Sequence, residues 1–240
     1  MAEEFKEGKQ LYDLQNYQDA LNYFQKLLSA NGEDADEEIF YYIGLCFARL
    51  NKPDEAMQYI EQVVTTSKDV QRMQQCRLIL AVLYTQTGRL TLADYELKKL
   101  LQSGCQTVPV MTALGYAAWA QSKESEAIEW YTKALEIEPN NATALNGFGY
   151  VLADSNKDLT RALSYCRKAL EVMPDSAAYL DSIAWIYYKL GLIKEAKTYI
   201  KLAKSRNPKN DEILNHYRAI FEQAAINNSA SKNSVSGGSR

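Results

Sequence analysis

The side chains that could carry out chemistry in this sequence are few and far apart. The 240 residues include one histidine, His216, and four cysteines, Cys46, Cys76, Cys105 and Cys166, which are separated by 30, 29 and 61 residues. A zinc or redox site needs such residues at close spacing, and a general base needs a partner within reach. No glycine-rich phosphate loop, nucleophile elbow or zinc-protease motif is present either. The sequence therefore predicts no enzyme, no metal site and no cofactor.

The cysteines fit a packing role. Cys46, Cys76 and Cys166 fall inside helical patterns, where reduced thiols pack as small apolar groups. Cys105 follows Gly104 in a predicted turn, so we expect it to be the most exposed of the four thiols.

The composition and charge of the chain predict an ordered protein without a membrane-spanning helix. Hydrophobic residues make up 47% and charged residues 24%, as in globular proteins. The longest apolar run, residues 78–84, is far shorter than the roughly 20 residues that a membrane-spanning helix needs. The net charge of -3 disfavours general nucleic-acid binding, and the acidic start Met1–Glu4 does not resemble a secretory signal. We expect a cytoplasmic location, with peripheral attachment to a membrane-bound complex as the alternative.

Small residues recur along the chain at a nearly constant interval. The first set is Gly8, Gly44, Ala81, Gly115, Gly149 and Ala184, at intervals of 36, 37, 34, 34 and 35 residues. The second set follows 12 or 13 residues after the first: Ala20, Ala56, Ala93, Ala127, Ala162 and Ala196. A single helical hairpin cannot bury its apolar faces alone, but stacked hairpins can. The period therefore predicts an array of two-helix repeats.

At this point the chain resembles the tetratricopeptide repeat family, of the bacterial type. The resemblance is clearest in ALGYAAWAQSKESEAIEWYTKALEIEPNN and YLDSIAWIYYKLGLIKEAKTYIKLAKSRNP. It implies an all-α, right-handed α-solenoid of about six helix–turn–helix repeats plus a C-terminal capping helix. We predict repeats at 1–34, 37–70, 74–107, 108–141, 142–176 and 177–210, the capping helix at 211–224, the array within 1–225, and a flexible tail at 226–240. An insertion around residues 68–71 is predicted to lengthen the first helix of the third repeat.

The predicted capping helix has its own apolar stripe. Its buried residues are expected to be Ile213, Leu214, Tyr217 and Phe221. His216 lies beside this stripe, so we expect it at the surface or partly packed.

The resemblance implies that the chain binds protein or peptide partners. In the family, the first helices of successive repeats line a concave groove that holds extended or helical peptides. The positions opposite the packing face follow i, i+4, i+7 spacing, and the candidate groove residues are Tyr41, Leu45, Thr112, Tyr116, Trp119, Asn146, Tyr150, Asp181, Trp185 and Tyr188. Because they are mostly aromatic or apolar, they suit an apolar or aromatic peptide. They lack the Lys, Arg and Asn clamp with which some chaperone adaptors hold a C-terminal carboxylate.

Two interpretations of this stripe stay open. The aromatic side chains either line a groove or pack between helices, and the groove could also be filled by the chain's own tail or a neighbouring subunit. If a peptide binds, Asn146 is expected to pair with its backbone amide and Asp181 with a basic side chain.

Charge is distributed unevenly along the chain. Residues 1–70 carry a net charge of -8 and residues 157–240 a net charge of +6. In the last repeat Lys194, Lys197, Lys201 and Lys204 follow helical spacing and form a candidate basic patch. They are either an ordinary solvated face or a surface that docks an acidic partner, a membrane surface or another copy of the chain head to tail.

Two functional classes follow. The first is a non-catalytic adaptor that binds a partner segment in the aromatic groove. The second is a structural subunit that forms homo-oligomers or builds into a larger complex through its ends and edges.

Overall fold

The computed structural model describes residues 2–32 and 36–222, and the regular structure within these stretches is helical. The helices are α1 (Ala2–Asp13), α2 (Tyr17–Asn31), α3 (Glu37–Arg49), α4 (Pro53–Thr66), α5 (Val70–Gln86), α6 (Leu90–Gln102), α7 (Val108–Ala120), α8 (Glu124–Ile137), α9 (Ala142–Asp154), α10 (Leu159–Val172), α11 (Ala177–Lys189) and α12 (Ile193–Arg206). Helix α13 covers residues 211–222. The prediction of an all-α helical-repeat fold is confirmed. The predicted tail, 226–240, and the end of the predicted capping helix lie outside the described residues.

The chain divides into two compact units, Met1–Ser122 and Lys123–Arg240. In the N-terminal unit, α1 pairs with α2, α3 with α4 and α5 with α6, and each pair stacks on the next through α2–α3, α4–α5 and α6–α7. In the C-terminal unit, α9 pairs with α10 and α11 with α12, and α8–α9 and α10–α11 contacts stack the pairs. First helices of successive pairs also touch, as α5 touches α7 and α9 touches α11.

Besides Asp158 in the α9–α10 turn, one residue with a left-handed backbone lies in each turn that joins a first helix to the next helix. These residues are Gln15, Asn51, Gly88, Ser122, Asn156 and Gly191, and their spacing of 36, 37, 34, 34 and 35 residues repeats the period of the small residues. Gly88 and Gly191, at φ values of 73° and 75°, adopt this conformation without the steric cost that a Cβ imposes. The repeat period is therefore also present in the backbone.

The small residues mark the places where helices approach most closely. The six alanines of the second set, Ala20, Ala56, Ala93, Ala127, Ala162 and Ala196, are all 0% exposed. A Cβ added to Gly44 would lie 2.6 Å from Cδ1 of Ile60, and one added to Gly149 would lie 2.8 Å from the carbonyl oxygen of Ala162. These contacts explain the periodic small residues: a larger side chain there would force two helices apart.

Helix α5 is the longest first helix. It has 17 residues, whereas α3, α7, α9 and α11 have 13 each. It begins at Val70, where the carboxylate of Asp69 accepts a hydrogen bond of 2.8 Å from the backbone N–H of Gln71. The predicted lengthening of this helix is confirmed.

The four cysteines are reduced thiols. Cys46, Cys76 and Cys166 are 0% exposed, and burial raises the pKa of each thiol to about 12. Cys105 lies in the turn after α6 and is partly exposed. Three thiols are therefore protected, as the sequence predicts.

We expect a thiol alkylating reagent at neutral pH to modify the native protein at Cys105 alone. The thiolate is the reactive form, and the three buried thiols are both uncharged and shielded. Intact-mass spectrometry should show one adduct in buffer, none in a Cys105→Ser variant and four after unfolding in denaturant. Rapid native labelling of a second cysteine would contradict this packing.

Replacing Gly149 by alanine should destabilise the C-terminal unit by about 1–3 kcal/mol, because the new Cβ meets the Ala162 carbonyl and the Cys166 sulfur. Chemical denaturation followed by far-ultraviolet circular dichroism measures the change. Thr198→Ala on the exposed face of α12 is the control, with an expected change within about 0.5 kcal/mol. If Gly149→Ala instead stabilises the protein, as helix propensity alone would predict, the close approach is not a constraint.

Candidate functional site

Five predicted groove residues lie on first helices of the N-terminal unit. Tyr41 and Leu45 are on α3, whereas Thr112, Tyr116 and Trp119 are on α7. Thr112 is 7% exposed and its hydroxyl donates a 2.9 Å hydrogen bond to the carbonyl of Pro109 in its own helix, whereas the other four residues are half-buried. Thr112 is thus part of the packed helix.

The ring of Tyr41 is covered by a cation. The guanidinium of Arg72 on α5 lies 3.9 Å from the ring centroid, and Arg72 also forms an ion pair with Glu38 on α3. Burial raises the pKa of Tyr41, and the nearby Arg72 charge offsets part of that effect. One side of Tyr41 therefore contacts Arg72 within the chain.

Two stacked aromatic pairs occupy the same register of the repeat. On α7, the rings of Tyr116 and Trp119 have centroids 5.8 Å apart and planes at 18°. On α11, the rings of Trp185 and Tyr188 have centroids 5.1 Å apart and planes at 25°. Each member of the second pair follows its counterpart by 69 residues, and all four side chains are half-buried. We refer to them as the α7 pair and the α11 pair.

In the C-terminal unit, the predicted site residues on α9 and α11 meet side chains of α13. Asp181 is 4% exposed, and its Oδ2 lies 2.9 Å from Nδ1 of His216. The ring of Trp185 stacks on the His216 imidazole at 4.2 Å and 16°. Tyr150 donates a 3.0 Å hydrogen bond through its hydroxyl to Oε1 of Glu212. Three of the five predicted groove residues in this unit therefore contact α13.

Several polar atoms in this region are buried without a hydrogen-bond partner. They are Oδ1 of Asp181, Oδ1 of Asn146 and Nε1 of Trp185. Desolvation, followed by the nearby Asp181 charge, raises the pKa of the Glu212 carboxyl, although the residue as a whole is exposed. Desolvation and the Glu212 charge also raise the pKa of Tyr150. The region concentrates negative charge next to a single imidazole.

Part of the prediction for α13 is wrong. Its buried residues are Ile213, His216 and Ile220, whereas Leu214, Tyr217 and Phe221 are only half-buried. His216 is 9% exposed because it fits against Asp181 and Trp185 of α11. A signal for this burial exists in the sequence, since Asn146, Asp181 and His216 follow one another at 35 residues and so share one register of the repeat.

Three lysines of the candidate basic patch contact aromatic rings of α13. The Nζ atoms of Lys197 and Lys201 lie 4.9 and 5.7 Å from the Phe221 ring centroid, and that of Lys204 lies 4.1 Å from the Tyr217 ring. The fourth, Lys194, is exposed at the start of α12. Cation–π attraction therefore holds three of the four lysines of the patch against α13.

Among the described residues, Asp181, Glu212 and His216 form a group that could hold a metal ion. One ligand atom from each side chain lies within 4.8 Å of the others. None of the described helices combines the length and the hydropathy that crossing a bilayer requires.

Family models match much of the chain. A model described as tetratricopeptide repeat matches residues 5–70, one described as TPR repeat matches 115–156, and another tetratricopeptide repeat model matches 177–210. The TPR repeat-containing protein PA4667 of Pseudomonas aeruginosa is 29% identical over 115 residues, which are 46% of this chain and 20% of that protein. The chain therefore spans about a fifth of the length of this relative.

Solved structures with a similar fold cover nearly the whole chain. A tetratricopeptide repeat protein from Parabacteroides merdae has a TM-score of 0.74 at 15% identity, covering 92% of this chain and 84% of its own. The Cut9–Hcn1 hetero-tetramer of the APC/C contains a chain with a TM-score of 0.69 at 16% identity, covering 90% of this chain and 42% of its own. At these identities the likeness shows the fold alone.

Replacing His216 by alanine should lower the free energy of unfolding by about 3–5 kcal/mol, because it leaves the buried Asp181 carboxylate without its partner. The double variant Asp181→Ala/His216→Ala should lose less than the sum of the two single variants, since no unpaired charge then remains. Denaturant unfolding followed by circular dichroism measures this cycle. Additive losses would show that the two side chains do not interact.

Proposed function

We propose that this protein, which belongs to the tetratricopeptide repeat family, is a non-catalytic scaffold that binds a segment of a partner protein. The observation that carries the proposal is the recurrence of a stacked aromatic pair at the same register of α7 and α11. The four residues of the two pairs are half-buried, so each keeps part of its surface exposed. The partner segment that suits them is apolar or aromatic.

The physical case rests on what half-buried aromatic pairs contribute to binding. A tyrosine or tryptophan adds a large contact area with few rotatable bonds, and stacking on a neighbour already restricts those rotations. Such residues are enriched among those that dominate binding energy at interfaces. Within the α11 pair, Tyr188 is a stronger candidate than Trp185, because Trp185 already packs on His216.

The imidazole environment supports the non-catalytic part of the proposal. His216 is 9% exposed, lies between Asp181 and Trp185, and is the only histidine of the chain. A side chain enclosed in this way is poorly placed to exchange protons with a substrate. Binding and positioning of a partner are therefore the function that these residues suit best.

Assembly into a larger complex is the second candidate. Large apolar side chains are exposed on second helices, with Leu92 at 46% and Tyr95 at 53% on α6, and Leu202 at 44% on α12. The uneven charge of the two ends adds an electrostatic route to head-to-tail contact. This candidate predicts a solution mass above 27.2 kDa that falls with added salt, and a salt-insensitive monomer would exclude it. The expected cytoplasmic location stays a prediction.

Substitutions in the aromatic pairs should weaken peptide binding while preserving the fold. We would pan a displayed peptide library against the wild-type protein and against Tyr116→Ala/Trp119→Ala and Tyr188→Ala variants. Peptides enriched on the wild type should be rich in apolar and aromatic residues, and their affinity should fall at least tenfold on the variants. That loss corresponds to about 1.4 kcal/mol, a typical threshold for an interface residue that matters.

The matched control is Tyr95→Ala, which removes an exposed aromatic ring from the second helix α6. It should bind the selected peptides as the wild type does, and circular dichroism should show equal helicity for all variants. Equal affinity of the wild type and the two site variants would refute the proposed binding surface.

A further inference from the structure

We infer that Asp181, Glu212 and His216 form a binding site for a single divalent transition-metal ion, with zinc as the expected occupant. The three side chains come from α11 and α13 of the C-terminal unit. This inference goes beyond the proposed scaffold function and does not depend on it.

The donor set and its spacing suit zinc. One imidazole nitrogen and two carboxylate oxygens are ordinary zinc ligands, and the three ligand atoms lie within 4.8 Å of one another. Nδ1 of His216 and Oδ2 of Asp181 are 2.9 Å apart. Since zinc binds such atoms at about 2.0–2.2 Å, two ligands of one ion lie roughly 3–3.5 Å apart. A slight separation of the Asp181 and His216 atoms and a small inward movement of Glu212 would bring the three ligands to this spacing.

A separate observation points to a missing cation. Asp181 is 4% exposed, and its Oδ1 is buried with no hydrogen-bond partner. A buried carboxylate oxygen without a partner is costly, and a metal ion is one of the few groups that can satisfy it. The second carboxylate is close by, since a Glu212 oxygen lies within 4.8 Å of the Asp181 and His216 ligand atoms. The His216 imidazole faces the carboxylates of both Asp181 and Glu212, so these three side chains have too little positive charge to balance the negative charge.

Neighbouring side chains hold the ligands in orientation. The Tyr150 hydroxyl on α9 donates a 3.0 Å hydrogen bond to Oε1 of Glu212, and the Trp185 ring stacks on His216 at 4.2 Å. Partners of this kind orient metal ligands, and their removal commonly weakens metal binding by 10–100-fold. Glu212 and His216 also lie four residues apart on α13, so both project from the same face of that helix.

Metal binding at this site would link α13 to α11. The two helices supply the ligands jointly, so the ion would stabilise α13 in its packed position. The alternative is an Asp181–His216 ion pair beside a Tyr150–Glu212 hydrogen bond, with no affinity for metal. The two arrangements differ in whether added zinc changes the NMR signals of the His216 imidazole.

The most direct experiment uses the single imidazole of the chain as a probe. In a Cys105→Ser background, which removes the most accessible thiol, the full chain is freed of metal with a chelator and titrated with zinc chloride. The imidazole signals of His216 in the proton–carbon NMR spectrum should shift and saturate at one equivalent of zinc. Cobalt(II) in place of zinc should give visible absorption bands without a thiolate charge-transfer band.

Variants then identify the ligands by isothermal titration calorimetry. Asp181→Asn, Glu212→Gln and His216→Gln should each weaken zinc binding more than tenfold, and Tyr150→Phe should weaken it by about tenfold because it orients Glu212. Glu222→Gln removes an exposed carboxylate of the same helix and should leave the affinity unchanged. Zinc should also raise the thermal midpoint of the wild type but not that of Asp181→Asn.

Either of two results would overturn the inference. Unmoved His216 signals at several equivalents of zinc would show that no ion binds here, and this measurement needs no variant that must fold. Equal zinc affinity in the wild type and all three ligand variants would place the ion elsewhere on the chain. Circular dichroism of every variant without metal distinguishes loss of a ligand from loss of the fold.

Discussion

The close approach of paired helices is the constraint on which the rest of this structure depends. Where Gly149 faces the Ala162 carbonyl, there is no room for a methyl group, and the six periodic alanines are entirely buried. Because the helices meet at these points, larger side chains on either side can interlock and form the buried apolar clusters of each unit. The same approach recurs in each repeat, so residues at one register occupy equivalent positions on their own first helices. The stacked pairs on α7 and α11 are a consequence of that repetition.

A repeated register also explains how α13 packs in the C-terminal unit. His216 occupies the position that Asp181 and Asn146 occupy on α11 and α9, and it packs against Asp181 and Trp185 of α11. Here, however, the contact is polar: an imidazole faces a buried carboxylate and a tryptophan ring. On the side of α12, lysines lie over the rings of Tyr217 and Phe221. Helix α13 therefore adds charge and aromatic contacts to the apolar packing of Ile213 and Ile220.

The sequence allowed much of the fold to be predicted, but less of the site. The period of small residues is set by packing within each repeat, so the all-α repeat fold, the long helix α5 and the buried cysteines could be inferred from local pattern. The hydrophobic pattern of α13 does not indicate the burial of His216, because it favours Leu214 and Phe221 over an imidazole. Its partner Asp181 lies 35 residues away, and only the register of the repeat connects them. Likewise, the spacing of the four lysines along the sequence shows that they share a helix face. It cannot show that aromatic rings of α13 cover three of them.

Site-specific photo-crosslinking tests the central claim, binding of a partner segment by the aromatic pairs, most directly. Benzoylphenylalanine would replace Tyr116, Tyr188 or Tyr95, one at a time, and the chain would be irradiated in its own cells. The account predicts that positions 116 and 188 each crosslink to partner segments rich in apolar or aromatic residues, and that position 95 does not. Crosslinks from position 95 alone would contradict it, because the binding surface would then lie on the second helices.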